Sequence, residues 1–217
     1  MKKFLTTVLL AGAVAYASAQ ATGKPAIPRD NALEAKIEKT LAKMTLDEKI
    51  GQMLELNFDI MGKYDASGSW KLNEAMLDTC ISKWKVGSIL NAPATRAATV
   101  EQWQYWIRLI QEKSMKYLGI PDIYGLDHNH GVTYTQKGTL FPQPINLAAS
   151  FNTELALRGA QITAYESRAA NCPWVYNPVV DLGRDPRWPR IYESFGEDAY
   201  VNAQLGAAAV IGFQGKL

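Results

Sequence analysis

Apolar residues recur along this chain at two alternating spacings. Leu33, Ile37, Leu41 and Met44 fall every three or four positions after Asp30, which predicts a helix capped by that aspartate. Thr45-Leu-Asp-Glu48 has the capping-box pattern and predicts a second, short helix. Ile50 to Leu56 reads as helix end passing into a first strand, and Asp59 to Trp70 as a loop at that strand's end. Leu72 to Trp84 has helical spacing, and Val86 to Leu90 reads as a short buried strand. Thr99 to Leu118 predicts a long amphipathic helix with Trp103, Trp106, Ile107, Ile110 and Met115 near one face, stopped by Gly119-Ile-Pro121. Ile123 to Leu126 is a third strand, followed by a long loop from Asp127 to Pro144. Asn152 caps a helix reaching about Asn171, Trp174 to Val180 is a fourth strand, and Asp198 caps a last helix ending near Gly212.

Strand and helix thus alternate, and the strands read as continuous apolar runs. That pattern predicts an α/β fold with a parallel sheet covered by helices. The loops after strands one, three and four are long and polar, while those after helices are short. This asymmetry suits a (β/α)8 barrel, whose site is built at the carboxyl ends of the strands. A doubly wound sheet would want a Gly-rich phosphate loop after its first strand, and none is present. Four strands make only half a barrel and leave two unpaired edges. The expectation is therefore about four βα units, the first half of a TIM-like barrel belonging to a longer protein.

Composition changes this picture at the amino terminus. Lys2 and Lys3, an apolar run from Phe4 to Ala15 and the small residues Ala17-Ser18-Ala19 form a secretory signal pattern, too short to span a membrane. The expectation is an exported protein, periplasmic or extracellular, with a signal peptide over 1–19, a mobile leader over 20–31 and the barrel segment over 32–217. Without the first nineteen residues, basic and acidic residues balance at 21 each, which points away from nucleic acid and anionic membranes and allows a neutral partner. Cys80 and Cys172 lie far apart in apolar surroundings and read as two separate buried thiols. His128 and His130 are the chain's histidines; His-x-His after a strand begins some metal sites, but a catalytic zinc needs a third ligand. Neither a metal nor any other cofactor is expected.

The densest chemistry runs from Asp181 to Asp198, where three arginines, five acids and three aromatics follow the fourth strand. Surface loops of salt bridges seldom carry Trp, Tyr and Phe among the charges. Arg184-Asp-Pro-Arg-Trp-Pro-Arg190 with Tyr192-Glu-Ser-Phe-Gly-Glu-Asp198 resembles the signature of glycoside hydrolase family 3, the β-glucosidase type. Met44 to Met53, Tyr124-Gly-Leu-Asp-His-Asn-His-Gly131, Thr139-Leu-Phe-Pro-Gln143 with Ala148 to Asn152, and Gly212-Phe-Gln-Gly215 resemble that family's other segments in the same order.

The resemblance implies a retaining hydrolase that releases β-linked glucose from glucosides or oligosaccharides. It implies that Asp127 and Arg190 hold sugar hydroxyls, a task that suits a charged acceptor and a multiple donor. His130 would frame the loop, and Trp188 either lines the pocket or packs beneath it. Arg184, Asp185, Arg187, Glu193 and Asp198 would form a salt-bridged frame. The family's nucleophile lies in a Ser-Asp-Trp-like segment and its acid/base in a following domain, the two carboxyls about 5 Å apart; a Lys-His pair completes the pocket. This chain has none of those motifs, so no catalytic carboxylate is expected within it. Pro189 stands where the family usually has Gly. If the turn needs φ > 0, Arg190 is displaced; if not, the loop is stiffer. Rival readings are a β-xylosidase or N-acetylhexosaminidase of the same family, or a non-catalytic sugar-binding remnant.

Overall fold

The computed structural model describes residues 28–93 and 97–215. The signal pattern of residues 1–19, and the leader up to residue 27, lie outside these. Contacts divide the chain into two units, Met1–Met44 and Thr45–Leu217. The first contains helix α1 (Asn31–Leu41), whose N-cap Asp30 accepts from the Ala32 and Leu33 amides.

The second unit opens with α2 (Leu46–Gly51), where Thr45 and Glu48 complete the expected capping box. Then follow β1 (Glu55–Asn57), β2 (Gly62–Tyr64), β3 (Trp70–Leu72), α3 (Glu74–Ser82), β4 (Ser88–Leu90), α4 (Val100–Tyr117) and β5 (Ile123–Leu126). The remainder is α5 (Pro144–Ala148), α6 (Thr153–Ala169), β6 (Trp174–Val175) and α7 (Ala199–Gln214). Among the described residues β1, β4, β5 and β6 form one parallel sheet in sequence order. Each strand is followed by a helix, so the sheet is four consecutive βα units of a (β/α)8 barrel.

Register settles which residues face where. Leu56 pairs with Ile89 and Ile89 with Tyr124, while Leu126 pairs with Val175. Ile89, Tyr124 and Leu126 are fully buried in one core with Leu77, Cys80 and Ile81 of α3 and Trp103, Ile107 and Ile110 of α4. The alternate positions, Glu55, Ser88, Ile123, Gly125 and Trp174, occupy the inner face. The strands are therefore not continuously apolar as expected: polar residues stand on the side that a barrel encloses.

Phe58, Trp70, Trp103, Trp106 and Tyr124 form a ring cluster with centroids 5.0–5.8 Å apart. Edge-to-face pairs of this kind favour their neighbours beyond area burial. The cluster explains a segment the spacing misread. Asp59 to Trp70 is not a plain loop: a 3-10 turn (Phe58–Met61) leads into the antiparallel hairpin β2–β3, and Trp70 folds back into the core.

Three other boundaries differ. Ser114, not Met115, is buried on α4, because its hydroxyl donates to the Ile120 carbonyl and ties the helix end to the turn before β5. Pro144, at the first turn, starts the short helix α5 inside what read as loop end. The fourth strand is only Trp174–Val175; Asn177 turns its amide to the carbonyls of His128 and Asn129, and Pro178 has no N–H to give a ladder. Cys80 and Cys172 are free and buried, as expected.

Candidate functional site

Asp127 follows β5 at its carboxyl end, where a barrel places its ligand groups. The loop it opens is held by three elements. Thr139 gives its amide and hydroxyl to the Glu166 carboxylate of α6 at 2.8 and 2.7 Å. Trp103 of α4 donates its indole N–H to the Tyr134 carbonyl at 2.9 Å. Asn177, beyond β6, holds the His128 and Asn129 carbonyls. Gly131 has φ +100°, and a Cβ there would lie 2.1 Å from the Thr139 oxygen, so this turn accepts only glycine.

Arg190 reaches the same place from the loop after β6. Pro189 and Arg190 are the central residues of a turn closed by the Ile191 amide on the Trp188 carbonyl, with Arg190 at φ −103°, ψ 17°. That is a type I turn, which favours proline at its second position. Pro189 is thus accommodated without a positive φ. Its guanidinium holds Glu193 through two hydrogen bonds, at 2.9 and 2.5 Å, and Asn129 donates to the same carboxylate at 2.9 Å. Glu193 is nearly buried while Arg190 remains half exposed, so the arginine is clamped yet open to a ligand.

Burial pushes the Asp127 carboxyl above its usual range, the Arg190 charge opposes this, and Glu193 and Glu55 add to it. Tyr134 belongs to the same cluster: burial raises its phenol, with the charges of Asp127 and Glu193 adding to the effect. The charges of Arg190, Glu193 and Glu55 thus all bear on Asp127, and those of Asp127 and Glu193 on Tyr134. An ionised carboxylate beside a planar multiple donor can take neighbouring hydroxyls of one polyol.

The other expected residues fall elsewhere. His130 is half-buried and its Nδ1 lies 2.9 Å from the Phe141 carbonyl, at an apolar cavity of about 240 Å3 walled by Phe141, Leu147, Phe195 and Phe213. His128 is fully buried with Nδ1 3.2 Å from the Ser167 hydroxyl, and burial lowers its pKa to about 4. The two histidines thus take separate partners, and no cluster of three metal-ligating side chains occurs among the described residues. Trp188 is half-buried at the start of the turn. Of the expected frame, Arg187 pairs with Asp185 in an exposed loop and Arg190 with Glu193. Asp198 instead caps α7, accepting from the Val201 amide. Glu55, Tyr134 and Asn129 were not anticipated; the period-two alternation through Glu55 and Asn57 was the available signal for the first.

Residues 45–217 match the model of the glycosyl hydrolase family 3 N-terminal domain. Over 194 residues the chain is 39% identical to a lysosomal beta glucosidase of Dictyostelium discoideum, covering 85% of this chain and 23% of that protein. It is 31% identical to a putative beta-xylosidase of Formosa agariphila, over 99% of this chain and 28% of that one. Among solved structures, an exo-1,3/1,4-beta-glucanase from a Pseudoalteromonas species superposes with TM-score 0.73 at 32% identity, covering 88% of this chain and 23% of the other. The chain spans about a quarter of the length of the curated relatives it matches. No helix among the described residues is long and apolar enough to cross a membrane. With a fold of consecutive βα units, a charged pair at the carboxyl ends of the strands and these matches, the chain belongs to glycosyl hydrolase family 3.

Proposed function

We propose that this chain supplies the sugar-holding side of a retaining β-glucosidase pocket, with Asp127 and Arg190 binding hydroxyls of a β-linked glucose unit. The observation that carries the reading is the clamp: Arg190 is fixed by Glu193, Glu193 by Asn129, and the arginine's charge bears on Asp127 at the end of β5. A preorganised donor and acceptor lower the ordering cost of binding a polyol. His130 frames the loop through Phe141, and Trp188, half-buried at the start of the turn that carries Arg190, either lines the pocket or packs beneath it. Hydrolysis further needs a nucleophile and an acid/base, which this reading assigns to family segments that the 217 residues do not contain.

The reading includes export: signal peptide over 1–19, leader over 20–31, barrel segment from 32. Amino-terminal sequencing of the secreted protein then begins at Gln20; a start at Met1 contradicts that part.

The test is assay of the full-length protein on an aryl β-glucoside with the first-formed anomer read by NMR. Retained configuration supports the reading, and inversion or no turnover overturns it. Residues 20–217 alone are expected to show no turnover of the aryl β-glucoside, and measurable release with retained configuration would contradict the assignment of the nucleophile and acid/base to other segments. A β-xylosidase is the second reading, favoured by the Formosa agariphila relative that aligns with nearly the whole chain. A higher kcat/KM on the aryl β-xyloside than on the glucoside selects it.

A further inference from the structure

Tyr176 stands just past β6, two residues after Trp174, and its ring packs on the Trp174 ring with centroids 4.7 Å apart. From there its hydroxyl crosses the inner face of the sheet and donates to Glu55 Oε1 of β1 at 2.6 Å. The two residues are 121 positions apart in sequence, Glu55 on one edge strand of the sheet and Tyr176 just past the other. The space that allows this crossing is Gly125, on the strand between. A Cβ at Gly125 would lie 2.2 Å from the Tyr176 oxygen and 2.5 Å from its Cζ. Any other residue at 125 therefore collides with the phenol, and it is the residue two before Asp127 on the same face.

We propose that Tyr176 and Glu55 form a strut across the inner face that floors the sugar pocket and positions Asp127. The inference rests on the sugar-binding reading above but names residues which that reading does not use. Physically, the strut does two things. It fills the layer of the barrel interior directly below Asp127, so a sugar held by Asp127 rests on an aromatic surface and cannot sink further. It also brings a fixed negative charge beneath Asp127. The groups that bear on Asp127 are Glu55 from β1, Arg190 and Glu193 from the loop after β6, with Tyr134 and Tyr176 beside them. Burial and the Glu55 contact both hold the Tyr176 hydroxyl protonated, so it is the donor in the pair. A Phe at 176 keeps the ring over Gly125 and loses the tether. A Gln at 55 keeps the shape and loses the charge. The two variants thus separate flooring from electrostatics.

The experiment measures D-glucose affinity by calorimetry, and the Asp127 carboxyl titration by carbon-13 NMR, in the full-length protein and in Tyr176→Phe, Glu55→Gln and Gly125→Ala. Each variant is first shown to fold by circular dichroism. The strut requires that Tyr176→Phe and Glu55→Gln each weaken glucose about tenfold, as the loss of one charge-assisted hydrogen bond does. It requires Glu55→Gln to lower the Asp127 midpoint, because a like charge has been removed. Gly125→Ala, which ejects the ring, weakens glucose at least as much as Tyr176→Phe; if it does not fold, the two conservative variants decide. Unchanged glucose affinity and an unchanged Asp127 midpoint in both overturn the strut. If the parent protein fails to bind glucose while the Asp127 midpoint still falls in Glu55→Gln, the strut stands and the sugar reading fails. If the parent binds glucose, Asp127→Asn loses it and the strut variants behave as the parent, the sugar reading stands and the strut fails.

Discussion

Two aspartates bracket β5, and they differ in almost everything but residue type. Asp122 enters the strand on its outer side and is 5% exposed, with both carboxylate oxygens buried and without a hydrogen-bond partner among the described residues. Burial, with the Glu55 charge second, pushes it up to about 8. Its backbone, by contrast, is held from both sides by Gln111 of α4. Asp127 leaves the strand on the inner side, half-buried, with Arg190 opposing the effect of burial. A perturbed carboxyl alone would nominate Asp122 as the functional group. Position nominates Asp127, because of the two it stands at the carboxyl end of the strand, where the charge of the clamped Arg190 bears on it.

The sharpest way to break this comparison is to neutralise each aspartate in turn. Asp127→Asn should cost glucose affinity at least about a hundredfold, since a charged acceptor of several hydroxyls is lost, and should leave Tm nearly unchanged. Calorimetric titration measures it; retained affinity places the site elsewhere. Asp122→Asn should do the reverse, leaving glucose affinity alone and changing stability with a pH signature.

That signature follows from the raised carboxyl. The folded state binds the proton more tightly than the unfolded chain, so stability is fully present below about pH 4 and is lost as pH rises toward 8. A displacement that large corresponds to at most about 6 kcal/mol. Thermal melts of Asp122→Asn should therefore lie several degrees above the parent at pH 8 and converge with it near pH 4. Parallel curves would mean that the Asp122 carboxyl binds its proton equally well in the folded and unfolded chain, and would contradict the buried, unpartnered state.

His128, next to Asp127 but turned to Ser167, has the opposite sign. Burial holds its imidazole neutral down to about pH 4, so its contribution is present above the usual histidine value and fades as pH falls from about 6.5 to 4. His128→Gln should flatten the acid side of the stability profile. Two of the loop's three arginines close the series, and the smallest effect belongs to Arg187. Arg187 is 89% exposed and, among the described residues, pairs with exposed Asp185, so Arg187→Ala should change neither Tm nor glucose affinity measurably. Arg190→Ala should weaken glucose about tenfold while Tm moves little. Equal behaviour of the two would dissolve the distinction between clamp and tip.

The same split explains what was legible in the sequence. Residues that face the helices announce themselves by apolar periodicity, so α4, α6, α7 and β5 were placed to within a few residues, with Asn152 and Asp198 as the caps of α6 and α7. Asp127 and Arg190 were legible because long motifs carry them. Tyr176, Glu55 and Tyr134 were not. Period two puts Glu55 on one face with Asn57, but which face the barrel encloses is set by register across strands distant in sequence, which a single chain read in order does not contain; Tyr134 lies in a loop, where no period marks it. Trp70 was missed for a related reason: a three-residue strand is too short for period two to show, and its burial comes from rings contributed by other elements.

The most direct test of the central claim is D-glucose binding by the parent protein and by Asp127→Asn and Asp122→Asn, measured side by side at neutral pH. The account predicts binding that is lost in Asp127→Asn and kept in Asp122→Asn. Binding that survives in Asp127→Asn, or disappears only in Asp122→Asn, would contradict it.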